Sequence, residues 1–420
     1  MTVHVIGAGL AGLSAAVTLA AKGDRVILSE AARQPGGRCR SYHDSQLDMV
    51  IDNGNHLVLS GNQAVGRYLR AIGTADRLMG PDRAEFRFLD RSTGESWVLR
   101  PSEGRIPWWV FDQRRRVPGT RLRDYMALAA LTRSRPDARI ADVIDCRGPL
   151  WERLLRPVLV SVLNTAPEEG SVALAGAVLR ESLAKGGAAS RPRIATPTLA
   201  AAFVDPALDR LHTAGAVVRL DQRLRTLQWD GDRVTGLTFG AETAALGPDD
   251  ALILAVPPWV ATELLPGLTV PDAFEPILNA HFRIAPPPGA APMVGLINGT
   301  AEWVFAFQDR LSVTVSAAGR LMDIETEALT ARLWQDVAAV YGLTGPPPPS
   351  RIVKERRATF AATPAQAARR PPARTRWPNL FLAGDWTDTG LPATIEGALR
   401  SGEVAAGLAS ARIRAERVAA

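Results

Sequence analysis

Three glycines carry the first legible chemistry of the chain. Gly7-Ala8-Gly9-Leu10-Ala11-Gly12 has the spacing G-x-G-x-x-G, directly after apolar Val3, Val5 and Ile6 and directly before Leu13, Ala16, Val17 and Ala20 at helical intervals. The reading is strand, tight turn, helix. A second strand, Val26-Ile27-Leu28, ends at Glu30, 18 residues beyond Gly12. In that context Gly7 permits the turn, Gly9 lets a pyrophosphate approach the backbone, and Gly12 lets the helix lie close to the strand. The N–H groups of Leu10 and Ala11 at the helix start face the phosphates, while Glu30, with Ala31 behind it, is placed to accept hydrogen bonds from a ribose. The pattern predicts a dinucleotide site.

Two further segments belong with it. Pro35-Gly36-Gly37-Arg38 follows the second strand almost at once. Near the other end, Asn379-Leu380-Phe381-Leu382-Ala383-Gly384-Asp385 reads as a buried strand delivering an acid into a turn. Pro392-Ala393-Thr394-Ile395-Glu396-Gly397-Ala398 then opens a last helix running through Leu399 and Val404. Strands are also expected at 216–220, 233–237 and 251–258, the last being a continuous apolar run.

This constellation resembles the superfamily of flavin-dependent amine oxidases and phytoene-type carotenoid desaturases. The resemblance implies an α/β fold, with a Rossmann-type FAD-binding domain and an inserted mixed α+β substrate domain. The FAD domain is then discontinuous, 1–80, 195–262 and 375–420, and the substrate domain comprises 81–194 and 263–374. It also implies one extended FAD, with Arg38 on the pyrophosphate and Asp385 on the ribityl or phosphate region. Leu224 would approach the flavin, and Ala393, Thr394 and Ile395 would bring the last helix to the flavin pyrimidine. A helix N-terminus there stabilises negative charge on a reduced ring. With no Cys or His in 379–402, the FAD is expected to be held non-covalently.

The resemblance narrows further. Ile51-Asp52-Asn53-Gly54-Asn55-His56-Leu57, Ile106-Pro107-Trp108-Trp109, Arg357-Ala358-Thr359-Phe360 and Gly384-Asp385-Trp386-Thr387-Asp388-Thr389-Gly390-Leu391-Pro392-Ala393-Thr394 resemble the hydroxysqualene dehydroxylase family, the squalene-associated FAD-dependent enzymes of hopanoid synthesis. The function implied is reductive removal of the hydroxyl of hydroxysqualene, a C30 isoprenoid, to give squalene. A carotenoid-type desaturase is the alternative. A non-catalytic prenyl-binding escort protein is disfavoured by intact Gly7, Gly9, Gly12, Glu30, Arg38 and Asp385. Amine oxidation fits poorly, because aliphatic Leu391 stands where those enzymes commonly place an aromatic wall.

The resemblance also places Gly54, Asn55 and His56 beside the flavin. His56 is expected to be the proton donor to the departing hydroxyl, since histidine titrates near neutral pH, with Asn55 as its polar partner. No second glycine fingerprint stands between 80 and 375, so reduction by a bound pyridine nucleotide is not expected. An external donor is required, whether a reductase, free reduced flavin or the quinone pool.

The elements that hold these groups need a large core, and 420 residues at 46% hydrophobic and 22% charged composition supply one. No apolar stretch approaches the ~20 residues of a membrane span. Met1 to Gly23 lacks a basic start and carries its glycines for structure, so an export signal is not expected. Cys39 and Cys146 are the only cysteines, which excludes a disulfide scaffold and zinc-ligand spacing. A cytoplasmic protein near the inner face of the membrane is the expectation. The net charge of +6 comes from 46 Arg and three Lys spread along the chain, without a nucleic-acid motif. Trp108-Trp109-Val110-Phe111, followed by Arg114-Arg115-Arg116, reads either as a membrane-facing edge or as a core strand with a solvated basic run.

Overall fold

Strict alternation of apolar side chains builds the central sheet and assigns its two faces. In the computed structural model, which describes residues 2–133 and 136–419 with side chains through 411, five strands run parallel. Their order is Val217–Arg219, Arg25–Ser29, Thr2–Ile6, Ala251–Leu254 and Leu380–Leu382. Val3, Val5, Ile253 and Phe381 enter one apolar cluster with the helices, while Ile6, Leu252, Leu254, Leu380 and Leu382 enter a second on the opposite face. A sheet buried on both sides in this way is the setting for parallel strands. The expected run 251–258 leaves the sheet at Leu254, because Pro257 and Pro258 start the short helix Pro258–Leu264.

The first and last helices share one face. Leu10–Ala21 lies against Ile395–Ala419, and the contact is close because Gly402 is small. A Cβ at Gly402 would overlap the carbonyl oxygen of Ala11. Ser14 Oγ also donates to the Leu399 carbonyl at 2.8 Å. The other face carries the antiparallel meander Thr226–Asp230, Arg233–Phe239 and Glu242–Ala245. Asn379 ties it down, donating to Val234 O at 2.8 Å and accepting from Val234 N at 3.1 Å.

A seven-stranded sheet forms the other large layer, with strand order 350–360, 274–282, 311–315, 303–306, 293–297, 86–90 and 96–99. Helix Thr326–Tyr341 fills one face with Leu329, Leu333, Trp334 and Val337. Phe88, Met293, Trp303 and Phe305 on the opposite face join the core with helices Arg156–Leu163 and Val172–Glu181. Strand Pro192–Ala195 pairs with Leu57–Leu59 and with Leu78–Met79, tying the chain just before residue 195 to the N-terminal segment.

Trp108–Val110 is not a strand. It is a short 3-10 turn with Trp109 and Val110 buried and Trp108 and Phe111 exposed.

Candidate functional site

Every strand of the parallel sheet delivers its carboxyl end to one edge, where open α/β sheets take their ligands. The glycine turn sits there. Gly7, at φ +102°, donates to Ser29 O at 2.7 Å, and a side chain at this position would run into the Ala255 carbonyl. A Cβ at Gly12 would overlap the Gly7 carbonyl oxygen. Gly9 is different, because its Cβ direction meets no atom within 4 Å. Gly9 precedes the helix without a side-chain cap, and no acid stands in the first turn. The first N–H groups of the helix, beginning at Leu10 and Ala11, are therefore left for an anion. Glu30 lies against the same turn, accepting from Ala8 N at 2.6 Å and Ala32 N at 2.9 Å. Ala31 is exposed beside it.

The Gly36-Gly37-Arg38 loop is stitched to this turn. Gly36 N donates to Ala8 O at 2.8 Å, and Gly36 and Gly9 form an isolated parallel bridge. Arg38 then reaches across 347 residues to Asp385, donating through one Nη2 to both carboxylate oxygens at 2.7 and 2.8 Å and through Nη1 to the Ala358 carbonyl. Asp385 is only 7% exposed while Arg38 remains 42% exposed. The Arg38 side chain thus presents open surface beside a buried carboxylate, which describes the wall of a cleft. Open space over Gly9, an uncapped helix start and an accessible arginine are together a donor set that fits the pyrophosphate of FAD.

The Asp385 turn has a support that sequence reasoning missed. Buried Arg370 donates through Nη2 to the carbonyls of Asp385, at 3.1 Å, and Thr387, and to Thr389 Oγ1 at 2.9 Å, while lying over the Phe360 ring at 4.9 Å. Burial pulls its pKa down to about 10, so it is still a cation at neutral pH. Nothing local to Arg370 announces this, since its partners are 15 to 19 residues away. Arg370→Met is expected to leave those three acceptors without their shared donor. The cost is on the order of 3 kcal/mol of stability, with weakened flavin retention. Thermal unfolding and the flavin-to-protein ratio check this.

Gly384 N donates to Ser401 Oγ at 2.8 Å, and Trp386 Nε1 donates to Val256 O at 2.9 Å. Thr394 caps the last helix, its Oγ1 accepting from Gly397 N at 3.0 Å, between half-buried Ala393 and buried Ile395. Glu396, at the start of the last helix, accepts from Ala64 N and Val65 N, both at 3.0 Å, and so caps helix Gln63–Ile72. The acid suits the positive end of a helix.

Gly54, Asn55 and His56 enter from the other side. A Cβ at Gly54 would crowd Asn279 Nδ2. Asn55 Nδ2 donates to Val313 O at 3.2 Å and Thr314 Oγ1 at 3.1 Å, and its N–H donates to Asn279 Oδ1 at 3.3 Å. These bonds hold Asn55 to the seven-stranded sheet. His56 is half-buried, with Arg38 and Asp385 both close enough to act on its charge. Burial first, and the Arg38 cation second, push its pKa down to about 4. The ring is neutral at neutral pH. The expected donor near its ordinary pKa is thus replaced by a neutral imidazole. Leu224 is 6% exposed and packs in the core that contains Trp386 and Leu237.

A second buried network was also invisible in the sequence. Asp52 accepts from Ser41 Oγ at 2.6 Å, Leu199 N at 2.9 Å and Arg310 Nη2 at 3.2 Å, and the Arg310 guanidinium lies 4.0 Å from the Phe307 ring centre. It fixes the strand leading to His56 against the seven-stranded sheet.

Comparison with known proteins follows the same lines. The family model described as flavin containing amine oxidoreductase matches residues 10–409. A protein of Rhodopseudomonas palustris named hydroxysqualene dehydroxylase is 53% identical over 415 residues, covering 99% of each chain. One of the same name from Zymomonas mobilis is 48% identical over 406 residues, covering 97% of this chain and 98% of its own. Among solved structures, cyclohexylamine oxidase from Brevibacterium oxydans superposes with a TM-score of 0.68 at 14% identity, covering 99% of both chains, a likeness of fold.

Proposed function

The chain belongs to the flavin containing amine oxidoreductase family, and from that premise we propose that it is an FAD-dependent oxidoreductase that removes the hydroxyl of hydroxysqualene to give squalene. The supporting observation is the 53% identity over 99% of the chain to a relative carrying that name. The site agrees with it in chemistry. Reduced FAD, when bound, supplies the hydride. The balance is one hydride and one proton consumed per hydroxyl, which leaves as water, and the electrons come from an external donor.

The chain's own residues have the remaining tasks. Arg38, the helix start at Leu10 and Ala11, and Gly9 hold the dinucleotide, with Glu30 on its ribose side. The capped helix start at Thr394 and Ile395 stabilises negative charge at the far end of the cofactor. Trp386 and Leu391, 3% and 4% exposed, contribute apolar walls that keep water from an allylic cation. Neutral His56 donates an N–H hydrogen bond to the departing hydroxyl, which lets the oxygen leave with less charge.

Anaerobic incubation of the FAD-loaded protein, chemically reduced, with hydroxysqualene is expected to yield squalene within a single turnover. Recovery of unchanged hydroxysqualene from fully loaded protein would overturn the proposal, and dehydrogenation of phytoene by the oxidised form would redirect it to a desaturase.

A further inference from the structure

Five of the eleven large hydrophobic side chains most exposed on the described surface fall between residues 106 and 126: Ile106 at 55%, Trp108 at 63%, Phe111 at 57%, Leu122 at 43% and Met126 at 69%. They are not a frayed loop. Trp109 and Tyr125 are both buried and meet edge to face at 5.2 Å, and Tyr125 Oη accepts from Val117 N at 2.9 Å. Exposed Trp108 directly precedes one member of that pair, and Met126 directly follows the other. The anchors Trp109, Val110, Val117 and Tyr125 belong to the same apolar core as Trp303 and Trp386.

The charge around these side chains is one-sided. Between 105 and 126 stand six arginines, at 105, 114, 115, 116, 121 and 123, against Asp112 and Asp124. Both carboxylates are occupied by backbone, Asp112 accepting from Arg114 N at 2.9 Å and Asp124 from Arg121 N at 2.7 Å. Among the described residues no carboxylate lies within 4.0 Å of the guanidinium of Arg105, Arg114, Arg115, Arg116 or Arg121, and Arg123 has only Asp124 at 3.9 Å.

We propose that the 105–126 segment docks on an anionic phospholipid bilayer, with Trp108, Phe111 and Met126 in the interfacial layer and the arginines on lipid phosphates. A bilayer offers acyl carbon and phosphate together, which matches exposed rings beside guanidinium groups that have no carboxylate partner, although Arg115 also donates to the Arg100 carbonyl at 2.8 Å. The attachment is peripheral, since no described helix is long and apolar enough to cross a membrane. The proposal stands apart from the reaction assigned above, because vesicle binding is measured without turnover.

The test is flotation of the FAD-loaded full chain with vesicles of equal phosphatidylglycerol and phosphatidylcholine at low salt. The protein is expected to float with them, and to do so less with pure phosphatidylcholine or at high salt, where screening shortens the reach of the arginines. Trp108→Ser/Phe111→Ser/Met126→Ser should lower partitioning roughly tenfold or more while leaving flavin content and thermal unfolding unchanged, since all three side chains are exposed. Val404→Ser, an exposed position on the last helix, should float like the parent. Absence of flotation with anionic vesicles, or undiminished flotation of the triple variant, overturns the proposal. So does a concentration-dependent dimer lost in the triple variant without vesicle binding, which would assign the patch to a second copy of this chain.

Discussion

Gly9→Val is expected to give a folded but colourless protein, whereas Gly12→Ala is expected to damage the fold itself. The two glycines lie three residues apart in one motif, yet their surroundings differ. Gly9 has φ −71° and ψ 174°, extended backbone that any residue adopts, and its Cβ direction is open. A valine there is tolerated by the protein and occupies the space over the helix start. At Gly12 the first methyl group overlaps the Gly7 carbonyl and crowds Ala255 Cβ, so strand and helix must separate. Overpacking of that kind costs at least about 3 kcal/mol when the obstacle is backbone. The apo form of Gly9→Val should therefore unfold near the temperature of parent apoprotein while retaining FAD at least ~100-fold more weakly, the effect of blocking a pyrophosphate seat. Gly12→Ala should lose both. Full flavin content in Gly9→Val would mean that the dinucleotide does not pass over this turn.

His56→Ala is expected to keep FAD bound and to slow single-turnover squalene formation by ~10²–10³-fold, the usual worth of one positioned hydrogen-bond donor at a developing charge. The form of the donor follows from its burial. With a pKa pushed down to about 4, protonated His56 is scarce at pH 7. If the imidazolium were the acid, the rate would climb about tenfold for each pH unit from 7 toward 4. A neutral N–H donor leaves the rate flat between about pH 5 and 7, and that is the expected profile. His56→Gln, which retains an N–H at similar reach, should stay within about tenfold of the parent, no more than ~1.4 kcal/mol of barrier. Flavin must be quantified in every sample, because cofactor loss imitates a catalytic defect. A fully loaded His56→Ala protein with a near-normal rate would remove His56 from the chemistry.

The glycine turn, the strands at 2–6 and 25–29 and the capped last helix were legible in the sequence because each rests on neighbours a few residues apart. A tight turn needs glycine at a fixed offset, and apolar alternation marks a strand wherever it occurs. The resemblance added which cofactor the two ends of the chain enclose, and the match to relatives over the full length agrees with it. Less was legible where a local signal had two outcomes. The apolar run 251–258 reads as strand throughout, yet Pro257 and Pro258 turn its end into a helix. The Trp108–Phe111 run reads as core or as surface, and the 3-10 turn makes it both, burying Trp109 and exposing Trp108.

What only the tertiary structure decided are the partners brought together from far along the chain. Asp385 is legible as an acid after a buried strand, but its ion pair with Arg38 spans 347 residues. Arg370 is one arginine among 46 in the sequence, distinguished only by the turn that folds around it. Glu396 was legible as a polar residue at a helix start, and folding gave it to a different helix. The ionisation of His56 belongs to the same class. Residue type predicts a group that titrates near neutrality, but desolvation and a neighbouring cation set its charge, and both are properties of packing. Local sequence dictates backbone conformation through short-range sterics, whereas the electrostatics of a site depend on groups that only the folded chain places together.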